Sequence, residues 1–205
     1  MSVETALIAY VAAAGLLTVT PGLDTAIVLR TTAAEGSRRA ALAAIGVVSG
    51  CLAWGFAAAL GLGVLLAASK TAYLALKWAG AGYLFWLGAN LILRPRARFD
   101  LAAPAARGGN WFARGLLTNL LNPKVGVFYI SFLPQFVPAG VPTAPFIVLL
   151  AAIHAAMGLA WFAALIRAAR PLRRWLERRA VVRWLDRATG AVFIGFGARL
   201  ALERR

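Results

Sequence analysis

Thr18-Val19-Thr20-Pro21-Gly22-Leu23-Asp24-Thr25 is the stretch on which the fold turns. It lies inside an apolar run of roughly 5–29, and a run of about 20 apolar residues is what an α-helix needs to cross a bilayer. Proline removes one helix hydrogen bond and kinks the chain. Pro21-Gly22 therefore marks a broken span whose freed backbone groups can meet an amino or carboxylate group. Asp24 follows at once, the one carboxylate in the interior of any apolar run. A charge at such depth is costly unless it is paired, hydrated or protonated, so its default reading is functional, and a proton carrier fits it. The plainer alternative is that Asp24 sits near the inner interface and caps a broken helix.

The rest of the 205 residues extends that reading. Hydrophobic residues make up 61% of the chain and charged residues 14%, against roughly 45–50% and about 25% in ordinary soluble domains. The mean hydropathy is +0.76. A soluble globule of this length leaves too much area in water to bury so much apolar surface. Six apolar runs, roughly 5–29, 40–67, 72–93, 115–137, 144–166 and 188–203, predict an all-α polytopic membrane protein, one transmembrane domain over 1–205. The second run is long enough to tilt or to break near Gly61 and Gly63. The sixth is short and carries Arg199, which can snorkel to an interface. Met1-Ser2-Val3-Glu4 lacks the basic flank of a cleavable signal peptide, so the first run is expected to stay as an anchor.

A net charge of +15 raises nucleic-acid binding as a function. Such a domain gathers its basic residues on one folded polar face. Here 19 of the 22 Lys and Arg lie outside the apolar runs, the exceptions being Lys77, Lys124 and Arg199. Basic connections flanking apolar spans are the positive-inside pattern, and no nucleic-acid partner is expected. Loops 30–39, 94–114 and 167–187 hold 16 of the basic residues, and the opposite side holds 3, Lys70, Arg204 and Arg205. Those three loops are therefore expected in the cytoplasm and both termini outside. Within 167–187, Leu172, Trp175, Leu176, Val182 and Leu185 recur at near-helical spacing among the arginines. They read either as a basic amphipathic helix lying on anionic lipid or as a solvated loop that only fixes topology.

Three spans followed by three make each half odd-numbered, so equivalent halves, about 5–93 and about 115–203, must be inverted relative to each other. Gly88–Leu93 lines up with Gly197–Leu202, and Leu16-Leu17-Thr18 before Pro21 with Leu116-Leu117-Thr118 before Pro123. Each proline stands eight residues from the inner end of its run, about 12 Å deep at 1.5 Å per residue and close to the midplane of a core about 30 Å thick. Paired interruptions in two halves point to a transporter's central site; the alternative is a pair of packing kinks. The second break reads Asn119-Leu120-Leu121-Asn122-Pro123-Lys124. Lys124 either approaches Asp24 and neutralises its cost, or holds a substrate carboxylate while Asp24 takes the ammonium. The candidate binding or coupling residues are Thr20, Pro21, Gly22, Asp24, Asn122, Pro123 and Lys124.

Gly46 and Gly50 form a small-xxx-small pair that permits close helix approach. His154, near mid-depth, reads as a proton relay or as a satisfied hydrogen-bonding residue. Cys51 stands alone, reads as a small apolar group and excludes an intrachain disulfide. The chain has no GxSxG, HExxH or CxxC and no paired intramembrane aspartates, so no enzyme, metal or cofactor is expected. A passive small-solute channel is one rival function, distinguished by flux that ignores the proton gradient. A non-transporting membrane scaffold is another, which leaves Asp24 and Lys124 without a reason to lie in lipid.

Thr20-Pro21-Gly22-Leu23-Asp24, followed by Thr25-Ala26-Ile27-Val28-Leu29-Arg30, resembles the first-helix signature of the lysine exporter (LysE/RhtB) family of bacterial amino-acid exporters. Asn122-Pro123-Lys124 with Phe132-Leu133-Pro134-Gln135-Phe136 resembles the family's fourth-helix signature. The Gly46/Gly50 spacing and the ending Leu185-Asp186-Arg187 with Gly190, Gly195 and Gly197 also fit. Leu23 departs from the pattern, which usually has a second proline there, so this break is expected to be less rigid. The resemblance implies export of amino acids or small derivatives across the bacterial inner membrane, driven by proton antiport. The expected partners are the substrate, a proton, anionic lipid at the basic loops and a second copy of the chain. It does not choose a substrate.

Overall fold

In the computed structural model, which describes residues 2–68, 70–96, 109–176 and 178–202, every regular element is helical. Ser2 starts α1 (Val3–Val19) by accepting the Thr5 N–H at 3.2 Å. The helix stops at Thr20 because Pro21 brings no N–H to the Leu17 carbonyl. Helix α2 (Leu23–Glu35) restarts after Gly22 at 48° to α1. Gly36, at φ 85°, ends it in the left-handed region that glycine enters without strain. α3 (Ser37–Ala68) follows directly, with Arg39 paired to Glu35 across the corner. It runs unbroken through Gly61 and Gly63, where the length of the run allowed either a tilt or a break. Next come α4 (Lys70–Leu93), α5 (Trp111–Leu120) and α6 (Pro123–Val127). The stretch Pro123–Phe136 lies at 56° to α5. Beyond α6 it tightens from a π segment, Phe128–Phe132, to a 3-10 turn, Leu133–Phe136. The chain ends with α7 (Thr143–Arg167), α8 (Ala169–Leu176) and α9 (Arg179–Leu202).

Over Ser37–Gly61 and Thr143–Arg167 the helices are long and apolar enough to cross a membrane, and the two bent pairs also qualify if each is one span. The third and sixth expected spans exist as the 24-residue helices α4 and α9. Over the described residues neither is among the helices that meet that test.

Four expectations are corrected. The sixth helix starts at Arg179, not near 188. Val182 and Leu185 therefore belong to α9 and, with Leu176, are buried against Val28, Leu29 and Leu165, so 167–187 is not one interfacial amphipathic helix. Only α8 keeps that character, with Arg174 and Trp175 exposed. Asp186, expected in a basic loop, is fully buried, so Asp24 is not the lone helix-borne acid of the interior. Finally, α2 runs on to Glu35 and α5 begins at Trp111, so both breaks lie farther than eight residues from the inner helix ends. Arg98, Arg107, Arg204 and Arg205 lie outside the described residues.

Glycines set the helix crossings. A Cβ on Gly46 would lie 2.0 Å from the Phe112 carbonyl oxygen, and one on Gly115 2.0 Å from that of Ala43, so α3 and α5 touch backbone to backbone. α4 and α9 meet where Gly88 faces the Gly190 carbonyl (2.7 Å from a built Cβ) and Gly190 faces that of Gly88 (2.6 Å). Gly197 lies against Ala81 along the same seam. α3 and α7 cross at Gly55 against Ala151, with Gly158 beside Val48.

Candidate functional site

The two breaks stop their helices for different reasons. At the second, the Asn122 Oδ1 accepts the Lys124 N–H at 3.1 Å and Pro123 occupies the first helical position, the pairing that starts a helix well. At the first, Gly22 offers no side-chain cap, and Asp24 sits in the opening turn of α2, where the helix dipole favours negative charge. Thr20 donates its hydroxyl to the Leu16 carbonyl at 2.7 Å. The same oxygen lies 2.7 Å from the Thr189 hydroxyl of α9, which therefore donates to it.

Between the breaks lies an enclosed chamber. Thr18, Thr20, Gly22 and Asp24 wall it on one side, Cys51 on the α3 side, Asn122 and Lys124 on another, and His154 with Gly158 on the α7 side. About 60 Å³ is open to the centres of water-sized molecules, room for a few waters at roughly 10–15 Å³ each. Of the predicted site residues, Thr20, Gly22, Asp24, Asn122, Lys124 and His154 share this chamber. Pro21 lines the next cavity instead, and Pro123 is exposed. Lys124 and Asp24 do not form a contact ion pair, so the chamber holds the two charges apart. His154 meets both of its expected descriptions, since it faces the chamber and its Nδ1 lies 2.8 Å from the Tyr129 hydroxyl.

Asn119 is the residue that sequence reasoning passed over. It is fully buried, and its Nδ2 donates to the Asp24 Oδ2 at 2.9 Å and to the Cys51 Sγ at 3.4 Å. The remaining oxygens, Asp24 Oδ1 and Asn119 Oδ1, are buried without a hydrogen-bond partner. Buried acceptors of this kind carry a full desolvation penalty until a donor arrives, and a proton or an ammonium group supplies one. Gly50 makes the room, for a Cβ there would lie 2.6 Å from the Asn119 Oδ1. The available signal was position, because Asn119 lies in the last turn of the helix that the second break ends.

Two further cavities lie beside the chamber. A cavity of about 510 Å³, lined by Pro21, Arg30, Leu87, Leu91, Arg96 and Lys124, adjoins the chamber through Gly22, Leu23, Asn122 and Lys124. A third, of about 610 Å³, lies between α2 and α5 beside Arg30, Trp111 and Arg114. Both are lined by arginine, with Arg30 in each. Aromatic rings pack together elsewhere in the bundle, Phe132 lying 4.2 Å from Phe196 and Tyr10 5.2 Å from Phe136 between centroids. Among the described residues no three His, Cys, Asp or Glu cluster as a metal site would require.

The LysE type translocator family matches residues 16–204, taking in both breaks, Asn119, His154 and Asp186. The chain belongs to this family. Among its relatives, the threonine efflux protein of Salmonella typhi is 31% identical over 191 residues, covering 90% of this chain and 91% of the relative. The homoserine/homoserine lactone efflux protein of Salmonella typhi is 30% identical over 198 residues, 96% of each. An uncharacterized membrane protein of Bacillus subtilis (strain 168) is 27% identical over 207 residues, 96% of this chain and 99% of the relative. No solved structure matches the chain. In this LysE-type chain the family match begins at Leu16, one turn before the first break, so the whole chamber lies within it.

Proposed function

We propose that this LysE-type chain exports amino acids or small amino-acid derivatives across the bacterial inner membrane by proton antiport, through the chamber between its two broken helices. The observation that carries the proposal is the Asp24–Asn119 hydrogen bond, with one buried, unpartnered acceptor oxygen on each side chain. A bare carboxylate there is too costly to carry through a conformational change. Asp24 must hold either a proton or a cation, and a substrate ammonium that takes its place expels the proton. That exclusive choice is antiport. Lys124 and the Asn122 amide meet the substrate carboxylate, and His154 with Tyr129 is the proton relay beyond the chamber. The relatives named for threonine and for homoserine efflux support small amino acids as the substrate class.

Six membrane-spanning units in two inverted halves complete the proposal, with loops 30–39, 94–114 and 167–187 in the cytoplasm. The glycine contacts support it. The register that aligns Gly88 with Gly197 aligns Ala81 with Gly190, so the Gly88–Gly190 and Gly197–Ala81 contacts exchange under a two-fold operation. The register that aligns Gly55 with Gly158 likewise aligns Val48 with Ala151, and Gly55–Ala151 exchanges with Gly158–Val48.

The test is proton release on adding substrate to purified protein in weakly buffered detergent, with threonine, homoserine, lysine and other amino acids as the panel. The wild type should release protons with at least one of them, and Asp24→Asn should not. Release by the Asn variant would move coupling to His154, and a wild type that binds nothing in the panel would sink the exporter assignment.

A further inference from the structure

The cavity on the arginine-bearing side of the chamber has its own chemistry. Among the described residues three cationic side chains line it, Arg30, Arg96 and Lys124, and no carboxylate does. Apart from Asn122, the rest of the described wall is apolar, with Leu23, Ala26, Leu87 and Leu91. Arg96 is held in place from behind. The Asp186 Oδ2 accepts its backbone N–H at 3.0 Å and its Nε–H at 3.1 Å, and the Oδ1 accepts from Nη2. Asp186 is fully buried, so it anchors the guanidinium without facing the cavity. This ion pair takes two of the five guanidinium N–H donors, and the partly exposed Arg96 lines the cavity with three donors left over. A planar fork with donors in fixed directions fits a carboxylate better than a point charge does.

We infer that this vestibule is a separate capture site for the carboxylate group of the substrate, with Arg96 as its recognition group and Asp186 as the residue that positions Arg96. The inference rests on the exporter assignment above and adds a second binding step to it. Lys124 lines both cavities. A zwitterion captured by its carboxylate therefore advances ammonium first. Its carboxylate passes from Arg96 to Lys124 as its ammonium reaches Asp24. The ligand class is an α-amino acid or another small anion with a free carboxylate. Amines and carboxamides lack the group that the vestibule recognises.

The test uses everted membrane vesicles carrying the full chain, so that the arginine-bearing face points outward. Uptake of the best-transported radiolabelled amino acid is competed with that amino acid and, separately, with its carboxamide, which keeps the ammonium and loses the anion. In the wild type the carboxamide should compete at least tenfold more weakly. In Arg96→Gln that ratio should fall at least threefold, with KM for the amino acid raised about tenfold and the maximal rate nearly kept. Arg96→Lys preserves the charge facing Asp186 and guards against a folding defect; it should also lower the ratio, because the fork is lost. A ratio unchanged in Arg96→Lys, or amino acid and carboxamide weakened equally in Arg96→Gln, would overturn the capture site while leaving the exporter assignment standing. A wild type that takes up no amino acid overturns both.

Discussion

Gly46→Ala tests whether the site depends on the backbone contact between α3 and α5. The added Cβ would lie 2.0 Å from the Phe112 carbonyl oxygen, 2.8 Å from the Leu116 nitrogen and 2.9 Å from the Phe112 carbonyl carbon. Non-bonded carbon and oxygen do not approach within about 3 Å, so the two helices must part by roughly 1 Å, against packing that resists small displacements. Overpacking of this kind costs about 1–3 kcal/mol. Alanine's better helix propensity returns at most about 1 kcal/mol. A net loss near 1–2 kcal/mol lowers the unfolding midpoint by roughly 2–8 °C in a chain of this size. The same displacement carries Asn119 away from Asp24, stretching a 2.9 Å hydrogen bond beyond useful range. The single cysteine gives the assay, since Cys51 is buried on α3 beside Asn119 and meets a thiol-reactive dye only when the bundle opens. Gly82→Ala is the control, because a Cβ there meets nothing within 4 Å and the position is exposed. Gly46→Ala should label at a lower temperature than wild type and bind substrate more weakly, while Gly82→Ala should match or exceed the wild-type midpoint. Equal midpoints for the two variants would refute the contact as described.

Two other substitutions read the chamber itself. Asn119→Leu keeps the volume and removes the donor to Asp24; a hydrogen bond to a charged group contributes about 1.5–3 kcal/mol, so equilibrium binding should weaken at least tenfold, and unchanged affinity would remove Asn119 from the site. Thr20→Val leaves the Thr189 hydroxyl without its buried acceptor and should destabilise the protein by about 1–3 kcal/mol, whereas Thr20→Val with Thr189→Val should recover most of the loss; thermal unfolding that ranks the double variant below the single one contradicts the pairing.

Both breaks were legible in the sequence because proline and asparagine act locally. Pro21 removes a donor and Asn122 caps with its own side chain, whatever surrounds them. Asn119 was not legible, since its role depends on rotation about α5 and on the space that Gly50 leaves opposite. The start of α9 was lost for another reason. Its first turns bury Val182, Leu185, Asp186 and Thr189 and expose Arg179, Arg183 and Arg187. An amphipathic turn of that kind scores as a basic loop when only unbroken apolar runs are counted. Asp186 went with it, and so did the vestibule, whose arginine comes from a connection far away in sequence.

Aligning Pro21 with Pro123 shows why a zwitterion suits this chamber. In that register Asp24 corresponds to Gly126 and Lys124 to Gly22, so each charged residue of one half is matched by a glycine in the other. A symmetric site would carry two acids or two bases, and like charges at such depth repel and strand each other. Here one half supplies the acid, the other the base, and the matching glycines keep the opposite positions bare. Gly126 also admits the Trp54 ring, which a Cβ would meet at 2.9 Å, so the position across from Asp24 is filled by an aromatic wall rather than a second charge. An acid and a base facing one chamber without a contact ion pair leave a gap between opposite charges. A molecule with an ammonium at one end and a carboxylate at the other closes that gap, neutralising both charges with a single ligand. A bare amine neutralises only the acid, and a bare carboxylate only the base. On the proposed exporter reading, this asymmetry would favour amino acids over their fragments.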